Sequence, residues 1–153
     1  MDTIEKFDAM LHALLTELTE LAFEYVNNNK DEVDAVYVIG LIESGYFYKQ
    51  FYRVNNVLVK AHKANTVSAM QYDLSKDRSF GLLKLGNECL ARTGQLFEDE
   101  SREAPSILKL VYHPGSGRFD SELGYGRNFT DSSSRTAQDV YEDWFDEIGR
   151  IAV

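Results

Sequence analysis

Two stretches rich in β-branched and aromatic residues, residues 36–42 and Tyr46–Val54, lie three residues apart. They constrain the fold more than any other feature of the chain. The first is apolar at successive positions, as a strand covered on both faces requires. The second alternates. Tyr46, Tyr48, Tyr52 and Val54 share one face, and Phe47, Lys49, Phe51 and Arg53 share the other. Glu43-Ser44-Gly45 between them is a turn. Asn55-Asn56 is a two-residue hairpin signal, because Asn accepts the positive φ of a type I′ turn. Residues 57–62 then return as a third strand, which completes a meander.

Helical periodicity brackets this meander. Ile4, Phe7, Leu11, Leu14, Leu15, Leu18, Leu21, Ala22 and Tyr25 recur at spacings of three and four, one apolar stripe of a helix. Asp2 or Thr3 can cap its start, and Asn27-Asn28-Asn29 can close its end. Asp8, Glu17, Glu20 and Glu24 fall on the other face. Residues 64–76 read as a polar irregular segment. A second helix is expected over residues 77–98, with Phe80, Leu83, Leu90 and Phe97 inward and Leu82, Leu85 and Cys89 nearby. Gly81, Gly86 and Gly94 each lower helix stability by about 1 kcal/mol relative to Ala, so a break near Gly86 is allowed. Residues 106–112 and 118–125 form a hairpin around His113-Pro114-Gly115-Ser116-Gly117. Phe119, Leu123 and Tyr125 lie on one face of the return strand. The last helix starts near Thr136, where Thr136-Ala137-Gln138-Asp139 has capping-box spacing. Val140, Tyr141, Trp144, Phe145 and Ile148 form its inner stripe. The order α-β-β-β-α-β-β-α has strands in hairpins, not in strand–helix–strand units. It predicts an α+β fold, a largely antiparallel sheet with helices packed on it, in a single domain over residues 1–153.

Charge is the other constraint. The net charge is −9, which argues against direct nucleic-acid binding, since phosphates call for a basic footprint. The charge is unevenly spread: residues 1–34 carry −7, residues 35–118 carry +3 and residues 119–153 carry −5. Acidic ends can serve solubility, or they can steer a basic partner toward the surface. No apolar run approaches the ~20 residues of a membrane span. The opening Met1-Asp2-Thr3-Ile4-Glu5-Lys6 is acidic where a secretory leader is basic. A cytoplasmic protein without a membrane partner is therefore expected. A lone cysteine, Cys89, excludes an internal disulfide framework.

Catalytic signals are weak. His12, His62 and His113 fall on separate elements and lack zinc-ligand spacing, so no metal and no cofactor is expected. The acids four apart on the last helix, such as Glu142 and Asp146, are exposed and lack the burial that tunes a catalytic pair. Cys89 has apolar neighbours and reads as an inert buried thiol. Gly115-Ser116-Gly117 joins two strands, so it is neither a nucleophile elbow nor a phosphate loop. The tyrosine-rich strand with Lys49 and Arg53 faintly resembles a single-strand RNA platform, yet packing under helices explains it as well. Trp144 also reads two ways, as core or as an interface anchor.

Two stretches carry a family likeness: Pro105 through Tyr112 with Gly117-Arg118-Phe119-Asp120 and Tyr125, and Asp139-Val140-Tyr141-Glu142-Asp143-Trp144-Phe145-Asp146-Glu147-Ile148. A late hairpin ending in Tyr, followed by a helix with a Glu-Asp-Trp-Phe centre, resembles the YezG-like bacterial immunity proteins. The resemblance implies an antitoxin, not an enzyme. It would bind a cognate toxin, expected to be a secreted or contact-delivered nuclease, and occlude its active or substrate-binding surface. On this reading the contacts are expected on the outer face of the last helix, at Asp139, Glu142, Asp143, Asp146 and Glu147, together with Tyr125. The alternative is a small ligand-binding or enzymatic α+β domain with a pocket between sheet and helices. A self-associating adaptor is a third reading, and the sequence leaves the oligomeric state open.

Overall fold

The computed structural model describes residues 3–151. Its elements are α1 (Thr3–Tyr25), β1 (Val33–Ile42), β2 (Tyr46–Val54), β3 (Val57–Lys60), a 3-10 turn (Ala61–Thr66), α2 (Lys76–Asp99), β4 (Ile107–His113), β5 (Arg118–Gly124) and α3 (Ala137–Ile151). The strands form one antiparallel sheet in the order β3-β2-β1-β4-β5. The fold is α+β, in the element order expected. β1 lies at the centre, which is why its side chains had to be apolar on both faces.

Each face of the sheet has its own core. Leu15, Leu18 and Ala22 of α1 and Leu82, Cys89 and Leu90 of α2 pack with Val36, Val38, Tyr48, Tyr52 and Leu110 on one face. Val140, Tyr141 and Trp144 of α3 pack with Tyr37, Ile39, Leu41 and Phe51 on the other. The alternation in β2 therefore sends its tyrosines under α1 and α2 and its phenylalanines under α3. The buried hydroxyls of Tyr48 and Tyr52 donate to the Leu18 and Ala22 carbonyls, each at 2.6 Å. Burying a phenol without a partner is unfavourable, and these two bonds meet that need. The tyrosine row is core.

Turn chemistry matches the sequence. Asn55 and Asn56 have φ of 48° and 65°, as a type I′ turn demands. Asn27 and Asn28 are left-handed, and the Asn28 N–H donates back to the Phe23 carbonyl to close α1. At α3 the box is reciprocal: Asp139 accepts from the Thr136 N–H at 2.8 Å, and the Asp139 N–H donates to Thr136 Oγ1. The possible cap at Asp2 lies outside the described residues.

Three expectations are corrected. The third strand ends at Lys60, two residues early. The chain then turns through Ala61–Thr66, held where the Asn65 side chain bonds both the N–H and the C=O of Tyr72. β5 ends at Gly124, which leaves Tyr125 beyond the strand and half exposed. The largest correction concerns α2, which is unbroken and rotated. Leu82, Gly86, Cys89, Leu90, Thr93, Leu96 and Phe97 face inward, while Phe80, Leu83 and Leu85 are 64%, 40% and 49% exposed. Gly86 sets this rotation. A Cβ there would stand 2.3 Å from the Tyr48 ring, so only glycine lets the helix lie this close to the sheet.

Candidate functional site

The outer face of α3 is less available than its composition suggests. Asp139 is consumed by the Thr136 box, and those two bonds hold its carboxyl below the usual range. Asp143 is ion-paired with Arg135. Glu142 turns toward the sheet, where Lys60 bonds it and holds its carboxyl low. Asp146 and Glu147 are exposed. Among the described residues no hydrogen bond, ion pair or ring contact joins Tyr125 to these acids. Of the six expected contact residues, Asp146, Glu147 and Tyr125 are thus exposed, while Asp139, Glu142 and Asp143 are engaged within the chain. Trp144 is 5% exposed and packs edge-on against Tyr37 and Phe51, with Lys109 Nζ 5.9 Å from its ring centre. It belongs to the core.

Glu142 belongs to a different arrangement. Lys49 Nζ donates to Gln138 Oε1 at 2.8 Å, Gln138 Nε2 donates to Glu142 Oε1 at 2.9 Å, and Lys60 bonds Glu142 Oε2. Lys60 thus bonds the carboxylate directly, and Lys49 is linked to it through the Gln138 amide. Lys49 stands 4.6 Å from the Tyr141 ring centre, and partial burial lowers its pKa. These residues form one wall of a groove of about 500 Å³ along the edge of β2. Tyr46, Phe80 and Leu83 line its other side.

A larger cleft, about 620 Å³, opens between α1 and the tip of the β4–β5 hairpin. Phe23, Tyr112 and Phe119 give it aromatic walls, with Phe23 and Tyr112 edge-to-face at 5.7 Å. Glu20 and Glu24 stand exposed at its margin, one helical turn apart, and His12 sits edge-on to Phe119. Helical spacing makes Glu20 and Glu24 neighbours on one side of α1. Carboxylates beside aromatic faces offer a cation both charge and π-contact.

Two acids that the sequence reading passed over hold the loops in place. Glu43, in the β1–β2 turn, accepts from the N–H groups of Asn128, Phe129 and Thr130 at 2.7–3.0 Å. Burial pushes its carboxyl up, but those N–H groups outweigh burial and the pKa settles at about 2. Glu32 does the same for the 68–70 segment. It accepts from the Ala69 N–H and the Asn55 side chain, and its pKa also falls to about 2. Local sequence does not mark their clamping role, because the partners of Glu43 lie 85–87 residues away and the segment that Glu32 holds lies 36–38 residues away. Both carboxyls are lowered on folding, so their stabilisation is complete above the unfolded value near 4.5 and is lost as pH falls toward 2. Glu43→Gln should therefore lower stability by about 1–2 kcal/mol at neutral pH. In urea titrations the gap from wild type should shrink steadily between about pH 5 and pH 2.5. A gap that stays constant with pH would refute the clamp.

Cys89 is buried beside Glu17, and its thiol is pushed up to about 12 by burial and by that carboxylate. A thiol so disfavoured as thiolate is not a nucleophile at neutral pH. Arg92 pairs with Glu17 and holds its carboxyl low. Among the described residues, no three His, Cys, Asp or Glu converge as metal ligands. No described helix is long and apolar enough to cross a membrane. Comparison with protein-family models finds no match for the chain, and comparison with curated proteins finds none either.

Proposed function

We propose that the chain is an immunity protein of the YezG-like type: it binds a cognate bacterial toxin, a nuclease, and covers its substrate-binding surface without turning over any compound. The observation that carries this reading is the cleft between α1 and the hairpin tip. It joins the acidic N-terminal region, through Glu20 and Glu24, to Tyr112 and Phe119 of the stretch that bears the family likeness. A nuclease presents arginines and lysines where it grips phosphates. A carboxylate pair over aromatic faces is matched to such a side chain, and the net charge of −9 favours fast encounter with a basic partner. Asp146 and Glu147 on α3 offer a second, separate acidic surface.

The test is calorimetry with an inactivated toxin domain encoded by the neighbouring reading frame. Tight binding that weakens with added salt is expected. Glu20→Lys with Glu24→Lys should weaken it by about tenfold or more, mainly through faster dissociation. Asp146→Lys with Glu147→Lys is the comparison. A larger loss from the α3 pair would move the interface to α3, and no binding at low salt would reject the toxin reading.

A further inference from the structure

The strand order β3-β2-β1-β4-β5 gives the sheet two edge strands. β3 is four residues long, but β5 has seven, Arg118–Gly124, and pairs only with β4. The direction of its backbone groups follows from the ladder. The Ile42 N–H donates to the Ser106 carbonyl, so the carbonyls of Ser106, Leu108, Leu110 and Tyr112 point to β1. Backbone groups alternate sides along a strand, so Ile107, Lys109 and Val111 point to β5, and their partners Gly124, Glu122 and Asp120 point back. Phe119, Ser121 and Leu123 therefore direct their N–H and C=O groups away from β4. Among the described residues no hydrogen bond meets those groups, and Ser121 is exposed. An unpaired edge is a template for another strand.

The side chains along this edge select what can join it. On one face Phe119 meets the His12 ring of α1, and Leu123 packs toward Phe7; both are half-buried. On the other face Asp120 and Glu122 are exposed. Asp120 pairs with Arg118 at 2.9 Å, an exposed contact of the kind that contributes only about 0–1 kcal/mol, so it stays open to a second cation. Among the described residues Glu122 has no ion pair. Residues 119–153 as a whole carry −5. Acids on an edge strand exclude a second copy, because antiparallel pairing of β5 with itself about Ser121 would set Asp120 of each copy opposite Glu122 of the other. The same acids favour a strand with basic side chains.

We propose that the outer edge of β5 is a strand-addition site for an extended basic segment of a partner protein. Lysine or arginine side chains of that segment alternate with apolar ones, the basic ones beside Asp120 and Glu122 and the apolar ones beside Phe119 and Leu123. Backbone bonds to Phe119, Ser121 and Leu123 supply the attachment, and the two faces supply the selectivity. The proposal rests on the reading of the chain as a binder of a basic protein, and adds how that protein is gripped. Phe119 also lines the cleft that holds Glu20 and Glu24, so one basic partner can reach both surfaces.

The test uses the whole ¹⁵N-labelled protein and a capped peptide, Val-Lys-Val-Arg-Val-Lys-Val. It needs no toxin, so its failure and a failure of the toxin reading are told apart. At saturation, amide exchange should slow about tenfold or more at Phe119, Ser121 and Leu123, and stay unchanged at Asp120 and Glu122, which already face β4. N-methylation of the peptide amides that face the edge should weaken binding about tenfold, as should glutamate in place of its basic residues. Glu122→Lys should weaken it several-fold. Ser121→Pro removes an N–H that faces solvent, a change an edge strand tolerates, so binding should be lost with the fold intact. Should that variant unfold, the N-methylated peptide asks the same question of the wild-type protein. Equal affinity of the N-methylated or glutamate peptide would overturn the proposal. So would unchanged exchange at Ser121 with millimolar peptide, or slowing confined to β3.

Discussion

Phe51→Ala should destabilise the protein by about 3–5 kcal/mol, the largest loss expected from any single truncation. Phe51 is fully buried on β2. It stacks on Tyr37 at 4.6 Å and meets Tyr141, Trp144 and Phe145 edge-on at 5.9, 5.1 and 5.1 Å. α3 is held to the sheet largely through this ring. Fifteen residues on one short helix cannot hold a helical conformation alone in water. Removing Phe51 leaves a cavity and also loosens α3, so near-ultraviolet signal from the single tryptophan, Trp144, should fall before the far-ultraviolet signal of the sheet. Chemical denaturation followed at both wavelengths checks this. A loss under about 1 kcal/mol, with coincident transitions, would show that α3 is anchored elsewhere.

Gly86→Ala should also destabilise, by about 1–3 kcal/mol, against the direction of helix propensity. In an exposed helix this change stabilises by about 1 kcal/mol. Here the new methyl group would lie 2.3–2.6 Å from three atoms of the Tyr48 ring. Tyr48 cannot yield easily, because it is 2% exposed and its hydroxyl is tied to the Leu18 carbonyl. Either α2 lifts from the sheet or the tyrosine loses its bond. Gly81→Ala is the control, since a Cβ there meets nothing within 4 Å. It should be neutral or stabilising. Thermal melts of the two variants side by side decide the matter, and a stabilised Gly86→Ala would contradict the packing described here.

The elements were legible wherever the signal is local. Alternation in Tyr46–Val54 placed tyrosines and phenylalanines on opposite faces, and the structure buries them under different helices. Asn55-Asn56, Asn27-Asn28 and the Thr136–Asp139 box were readable because each works through its own backbone. The rotation of α2 was not. Phe80 and Leu83 fit an apolar stripe as well as Leu82 and Cys89 do, and only the flat contact of Gly86 with Tyr48 chooses between them. The acidic face of α3 was legible as composition, but not the diversion of Glu142 to Lys60 or of Asp143 to Arg135. The cleft beside Glu20 and Glu24 depends on how α1 and the distant β4–β5 hairpin come together.

The amino-acid order alone determined the α+β class, the hairpins and the caps, because periodicity, turn residues and capping act over a few bonds. Tertiary structure alone decided which helix face is buried and which acids remain on the surface. Those outcomes depend on contacts between residues tens of positions apart, such as Glu43 with Thr130 and Lys60 with Glu142. Short-range patterns do not encode such distances.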